Sequence, residues 1–513
     1  MSRTKNTSRN ITWGMMNKLI MLSLSFVMRT VMIYTMGVLY LGLNGLFTSV
    51  LQVLNVTELG ISSAIVFSMY KPLAEGSDDE VCALLNLYKR SYRIIGLIVM
   101  FLGIAILPFL DRLINGEIPA DINIYILYLM NLGSIVLSYE LFTYRTALLI
   151  AAQRNDVVSK IQLMVEIFQV ASQVFVLFIL KNYYIYVLCI IAGTATKNIV
   201  GAIVCKRMYP QYVCRGNVSS EVFQDIKKRV GGMFFQKIGS VVLASVDTLV
   251  ISAFLGLKTL AIYQNYYYVI SALFGILTVI SGAMVAPVGN SVALESIDKN
   301  YQDFKKFNFI YIWIVSWCTV CLLCMYQPFM KLWVGQELML PMLLVCLFTI
   351  YFFMHKWCDM LYIYQEACGI WWETRFVPFL AAILNLAVNL MLVNIIGLAG
   401  ILISTIISVV FIYDIGYAVV LFKVYFKSKK NLYDFFARQI FYLVTMMCSV
   451  AVTWFLCNRI QLSTVVHLVL NAIICLIVPN IMFVIIWHRL PEFTGTVRLV
   501  KRIIAEKLVK KQV

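Results

Sequence analysis

Histidine occurs three times in 513 residues, and charged side chains make up only 13% of the chain. So thin a supply of titratable groups yields no nucleophile–base pair and no metal-ligand set at working spacing. Long polar segments are missing too. Only short links separate the apolar runs, which leaves no room for the soluble catalytic domain or large loop expected of a membrane polymerase or lipid-linked glycosyltransferase, so no catalytic residues are assigned. The 13 cysteines lie mostly inside apolar runs and outline no disulfide framework. Cys318, Cys321 and Cys324 form a C-x-x-C-x-x-C run with apolar flanks and no nearby histidine, and are taken as packing residues, with no metal site assigned. No small-residue cleavage site follows the first apolar run, so a cleavable signal peptide is not expected.

What the chain has in abundance is hydrocarbon. With 61% hydrophobic residues and a mean hydropathy of +0.86, it is too apolar for a soluble domain. Fourteen apolar runs lie between residues 11 and 488, which predicts an all-α polytopic membrane protein with about 14 transmembrane helices. The net charge of +17 is placed, not scattered. Of 42 Lys and Arg, 32 fall in or beside the segments on the side of the termini, five (Arg112, Lys181, Lys258, Lys331, Arg459) fall on the opposite side, and five lie within runs. That asymmetry is the positive-inside signature, with both termini cytoplasmic, and it argues against a nucleic-acid surface.

Arg29 lies within the first run, among Phe26, Val27, Met28, Val31 and Met32, about 6 Å past its midpoint at a helical rise. A charge so deep is tolerated on a face lining a bundle interior or aqueous cavity, or in an ion pair with a neighbouring helix. A cationic cavity implies an anionic cargo. Lys18 stands about three helical turns earlier on nearly the same face, and Lys237 occupies a similar place in a later run; either one can instead snorkel to headgroups.

The chain also resembles itself. RTVMIYTMGVLYLGLNGLF at 29–47 aligns with DTLVISAFLGLKTLAIY at 247–263, at an offset of 218 for the charge-Thr start and 214 at LGL. Ser63–Val66 answers Gly282–Val285, and Lys206 answers Lys423. This predicts six-helix lobes at 1–214 and 215–430, an extra helix pair at 431–490, and a basic cytoplasmic tail at 491–513 whose stretch 498–511 reads as an amphipathic lipid-facing helix. Asp247 then becomes the symmetry counterpart of Arg29. Glu58, Glu140, Glu166, Asp359 and Asp414 are further intramembrane acids, with ion coupling and charge pairing both open as roles. Asp359, three residues after Lys356, is expected to pair with it locally. Tyr266 and Asn265 head an aromatic and amide stretch, Tyr263–Tyr268, suited to sugar in a cavity or to an interfacial belt. Asn385 and Asn389 share one helix face and should bond a neighbouring helix.

An arginine in the first span, LGLNGLF at 41–47, ELGISSAIVFSMYKPLAE at 58–75, NLYKRSYRIIG at 86–96, GLKTLAIYQNYYYVI at 256–270 and WWETRFVPFLAAILNLAVNLMLV at 371–393 together resemble bacterial O-antigen and capsule-type oligosaccharide flippases. These belong to the multidrug/oligosaccharidyl-lipid/polysaccharide exporter superfamily. The resemblance implies a non-enzymatic protein of the bacterial cytoplasmic (inner) membrane. It would move an undecaprenyl-diphosphate-linked oligosaccharide repeat unit from the inner to the outer leaflet by alternating access, for capsule, O-antigen or exopolysaccharide biosynthesis. It implies no bound cofactor. Coupling to a sodium or proton gradient, and a polysaccharide polymerase or glycosyltransferase as partner, are left open. A lipid II flippase and a multidrug exporter of the same superfamily are the alternatives. The cation Arg29 disfavours the exporter, whose organic-cation cargo calls for carboxylates.

Overall fold

The computed structural model describes residues 3–58, 60–459 and 464–498, and these contain helices and no strand. The amphipathic segment expected at 498–511 lies almost wholly outside the described residues. In chain order the helices are α1 (Arg3–Thr35), α2 (Val38–Leu54), α3 (Ile61–Glu75), α4 (Asp78–Ile106), α5 (Ile124–Glu140), α6 (Thr143–Ala151), α7 (Asn155–Phe175), α8 (Tyr183–Met208) and α9 (Ser220–Leu294). There follow α10 (Ile297–Trp333), α11 (Met342–Trp357), α12 (Asp359–Cys368), α13 (Trp371–Thr374), α14 (Val377–Ile396), α15 (Leu398–Ser408), α16 (Ile415–Val424), α17 (Lys429–Asn458) and α18 (Thr464–Trp487).

Local chemistry marks the starts of several helices. The side chains of Asn123, Asn182, Ser296 and Ser428 accept backbone N–H bonds at the starts of α5, α8, α10 and α17, satisfying donors that have no helical partner. Among the described residues, 11 helices are long and apolar enough to cross a membrane, or 12 if α5 and α6, bent by 53°, form one span. The sequence count of 14 is therefore not reproduced. The difference lies in two places: α2, at 17 residues, is short, and α9 is a single 75-residue run. Unbroken, α9 would be about 110 Å long, over three times the hydrocarbon core. Gly256 breaks it at φ 83°, ψ 171°, a conformation that only glycine adopts freely.

Packing divides the chain into two compact units, Met1–Gln264 and Asn265–Val513. In the first, α1 lies along α7, α4 on α5, and α8 on both α5 and α7. The early limb of α9 belongs here because it is clasped. Ser252 Oγ donates to the Leu113 carbonyl at 2.6 Å, Asn115 N donates to the Ser252 carbonyl at 3.0 Å, and Asn115 Nδ2 donates to the Phe254 carbonyl at 2.8 Å. A Cβ on Gly42 would sit 2.3 Å from the Leu257 carbonyl oxygen, so glycine is what lets α2 approach this limb. In the second unit α10 packs on α11, α17 and α18, and α14 on α15.

The internal repeat acquires a consistent register. Gly37 (φ 96°, ψ 175°) and Gly256 (φ 83°, ψ 171°) break the chain in the same way, and Ser77 and Ser296 both precede long helices; each pair is 219 positions apart. The LGL match at an offset of 214 is thus a slip. It aligns similar letters, whereas the backbone aligns the two breaking glycines.

Candidate functional site

Arg29 is carried by α1, which packs along α7, and its side chain is partly buried and engaged. Lys18 on α1 and Lys237 on α9 are exposed on their helices. Asp247, also on the early limb of α9, is buried and likewise engaged.

The acids of the first unit fall into distinct settings. Glu58 lies in the one-turn link between α2 and α3 and accepts a 2.5 Å hydrogen bond from the Tyr92 hydroxyl of α4. Tyr92 stacks on Tyr88 at 4.2 Å, Tyr88 is hydrogen-bonded to Ser62, and Tyr139 donates to Asn55. A half-buried carboxylate at a helix break thus accepts from one of three neighbouring buried tyrosines, whose other hydroxyls bond Ser62 and Asn55. Glu140, the last residue of α5, lies 3.8 Å from Arg93 in a largely exposed pair, an arrangement worth little. Glu166 on α7 interacts electrostatically with Lys197 of α8. Lys197 also lines a cavity of about 200 Å³ with Thr143, Thr146, Gln162 and Asn198, between α6, α7 and α8.

The second unit holds a denser charge cluster. Lys356 Nζ meets Asp359 Oδ2 at 2.8 Å, as the three-residue spacing predicts, with the two side chains only 10% and 20% exposed. The same Asp359 oxygen accepts a 2.5 Å bond from the Tyr311 hydroxyl of α10. Asp414 ends a π-helical turn between α15 and α16 and is buried within the electrostatic reach of both Asp359 and Lys356. Its Oδ2 has no hydrogen-bond partner among the described residues. Such π turns concentrate at functional positions. The cluster has a counterpart in the first unit. Tyr311 is 219 residues after Tyr92, and Asp359 is 219 after Glu140, each acid at a break between two helices. In each unit a tyrosine of the long helix α4 or α10 holds a carboxylate, though the partner is Glu58 in one and Asp359 in the other. Tyr92 falls in the NLYKRSYRIIG stretch and Tyr311 in none of the flippase-like stretches; the repeat register is what links the two.

Tyr266 is a correction. It is fully buried inside the second unit, where neither an exposed cavity lining nor an interfacial belt would place it. Its hydroxyl donates to Gln327 Oε1 at 2.9 Å and accepts from Leu340 N at 3.0 Å, while its ring packs on Tyr326 and Phe348. Asn265 beside it is also fully buried. As expected, the shared face bonds a neighbouring helix: Asn385 Nδ2 donates to Thr405 Oγ1 of α15 at 2.9 Å, and within α14 Asn389 Nδ2 donates to Asn385 Oδ1 at 3.2 Å.

Set beside known proteins, residues 7–289 match the family model described as polysaccharide biosynthesis protein. No functionally curated protein matches the sequence significantly. Among solved structures, the lipid II flippase MurJ in an inward closed conformation superposes with a TM-score of 0.58 at 15% identity, covering 94% of this chain and 99% of its own. An inward-facing multidrug resistance MATE transporter of the MOP superfamily gives 0.59 at 12%, covering 78% and 94%. A MOP superfamily transporter from Pyrococcus furiosus, described as having a binding pocket of reversed polarity, gives 0.56 at 12%, covering 83% and 97%. At these identities the structural likeness is one of fold. Because the family model spans more than half of the sequence, this multi-pass α-helical membrane protein, with the fold of the MOP superfamily transporters, belongs to the polysaccharide biosynthesis protein family.

Proposed function

We propose that the protein is a flippase. It carries an undecaprenyl-diphosphate-linked oligosaccharide repeat unit from the cytoplasmic to the outer leaflet of the bacterial inner membrane, with both termini in the cytoplasm. The family match over residues 7–289 carries this reading. The chemistry agrees with it: a diphosphate needs delocalised donors in a poorly hydrated setting, and a partly buried guanidinium at position 29 of α1 supplies them. Lys18 and Lys237 add exposed ammonium groups for the same headgroup. Two pseudo-symmetric lobes, 1–214 and 215–430, alternate access to the path, followed by the pair at 431–490. Asp247, Glu58, Glu140 and Glu166 balance charge or take part in coupling to a sodium or proton gradient.

A second reading, lipid II transport, is favoured by the extent of the MurJ superposition, 94% of this chain. Both cargoes carry a lipid diphosphate and differ in the sugar. Leaflet-resolved labelling in cells depleted of the protein separates them. Cytoplasmic-face accumulation of lipid-linked repeat unit with normal lipid II turnover supports the first reading; accumulation of lipid II supports the second. Accumulation of neither removes both.

A further inference from the structure

Three cysteines that are far apart in the sequence meet in the second unit. Cys324 of α10, Cys457 of α17 and Cys475 of α18 are all buried, and their sulfurs lie within 4.8 Å of one another. Cys321 and Met325 pack against them, and the remaining neighbours, Val320, Val450 and Ile474, are hydrocarbon. The side chains that converge are sulfur: the three thiols, a fourth thiol beside them, and a thioether, while Asn471 and His467 approach through the backbone carbonyls of Cys324 and Cys457.

We propose that Cys324, Cys457 and Cys475 form a binding site for one cuprous ion that staples α17 and α18 to α10. Three thiolates around a metal at about 2.3 Å require sulfur–sulfur separations of about 4.0 Å. The cluster reaches that by contracting less than about 1 Å, a shift that rotamer changes on three helices supply. The choice of ion follows from the donors. Thiolate and thioether sulfur select soft ions, and three convergent sulfurs suit a three-coordinate d10 ion better than zinc, which requires four ligands in a structural site. Binding displaces one proton from each thiol that becomes a thiolate, and copper keeps its oxidation state, so no oxidant or reductant is consumed. The polar neighbours are consistent with a built site. Asn471, one turn before Cys475, donates Nδ2 to the Cys324 carbonyl at 3.3 Å, and its buried Oδ1 has no partner among the described residues. His467, two turns before Cys475, reaches the Cys457 carbonyl at 3.1 Å. These contacts fix the rotation of α18 relative to the other two helices, so the thiol of Cys475 faces the other two.

The test is anaerobic titration of the purified, reduced full-length protein with cuprous ion against a bicinchoninate competitor. Copper per chain is counted, and X-ray absorption reads the shell of ligands. The wild type is expected to retain one ion in an all-sulfur shell and to melt at a higher temperature when loaded. Cys457→Ser and Cys475→Ser each lose that ion, whereas Cys318→Ser, which changes a residue outside the trio, keeps it. Melting of the metal-free variants shows whether they are folded. The proposal is overturned if the folded wild type retains no copper, if folded Cys457→Ser retains it equally, if the shell contains nitrogen or oxygen, or if zinc displaces the ion at equal concentration.

Discussion

Lys356 and Asp359 allow a quantitative test, since the pair is nearly dry and has a third member. Lys356 Nζ and the Tyr311 hydroxyl both converge on Asp359 Oδ2, at 2.8 Å and 2.5 Å. Lys356→Met removes the cation and leaves a carboxylate with one hydrogen bond, and Asp359→Asn leaves an ammonium without its 2.8 Å carboxylate contact, with the Phe274 ring 4.9 Å from Nζ and Asp414 in electrostatic reach. Breaking one side of a buried pair costs about 3–5 kcal/mol, because the other charge is left unpaired. For a folding unit of 150–250 residues each kcal/mol moves Tm by roughly 2–4 °C, so each single variant should melt at least about 6 °C lower. The double variant removes both charges, and its loss should fall short of the sum of the two single losses by about 1–3 kcal/mol. Thermal unfolding of detergent-solubilised protein, followed by size-exclusion recovery, measures all four corners of this cycle. Additive losses would refute the coupling. So would a single variant as stable as the wild type.

Further expectations follow from particular contacts. Gly256→Ala forces an alanine to φ 83° and places its Cβ 2.5 Å from the Asn115 carbonyl oxygen, whereas Gly37→Ala at φ 96° meets nothing within 4 Å. Strain alone costs about 1–3 kcal/mol, so Gly256→Ala should lower Tm clearly more than Gly37→Ala in the same melting assay. Tyr92→Phe removes the donor to Glu58 and should destabilise by about 1–3 kcal/mol, an effect that Glu58→Gln should reduce in the double variant; chemical denaturation of the four proteins reads it. Asn385→Ala removes the bond to Thr405 that ties α14 to α15 and the bond from Asn389, and should cost about 1–2 kcal/mol, while Asn385→Leu should not recover it.

Part of this was legible in the sequence and part was not, for physical reasons. The apolar runs declare helices because a bilayer leaves few other ways to satisfy the backbone. Short-range features were equally readable: the three-residue spacing brings Lys356 to Asp359, and the four-residue spacing puts Asn385 and Asn389 on one face of α14. Hidden were the features set by packing between distant segments. Cys324 reads as one member of a local C-x-x-C-x-x-C run, but its partners come from helices more than 130 residues away, fixed by the rotation of α17 and α18. Tyr92 lies in the NLYKRSYRIIG stretch, but nothing local shows that it or Tyr311 holds a carboxylate instead of joining an interfacial belt. Tyr266 misled for the converse reason: its neighbours Tyr267 and Tyr268 suggest an open aromatic surface, but burial took its hydroxyl into the core. The repeat was visible, but similar letters at LGL drew the alignment five residues out of register, and the shared backbone of Gly37 and Gly256 restores it.

The central claim, that a partly buried cation helps to carry a lipid diphosphate across the bilayer, is tested most directly in proteoliposomes. Undecaprenyl-diphosphate-linked oligosaccharide is loaded in one leaflet and its appearance in the other is timed for the wild type, Arg29→Lys and Arg29→Ala at equal, folded reconstitution. The account predicts rapid transfer by the wild type, slower transfer with lysine, whose compact ammonium lacks the planar fork, and background transfer with alanine. Equal rates for the wild type and Arg29→Ala would contradict the cationic path, and a wild-type rate no faster than empty vesicles would contradict the flippase itself.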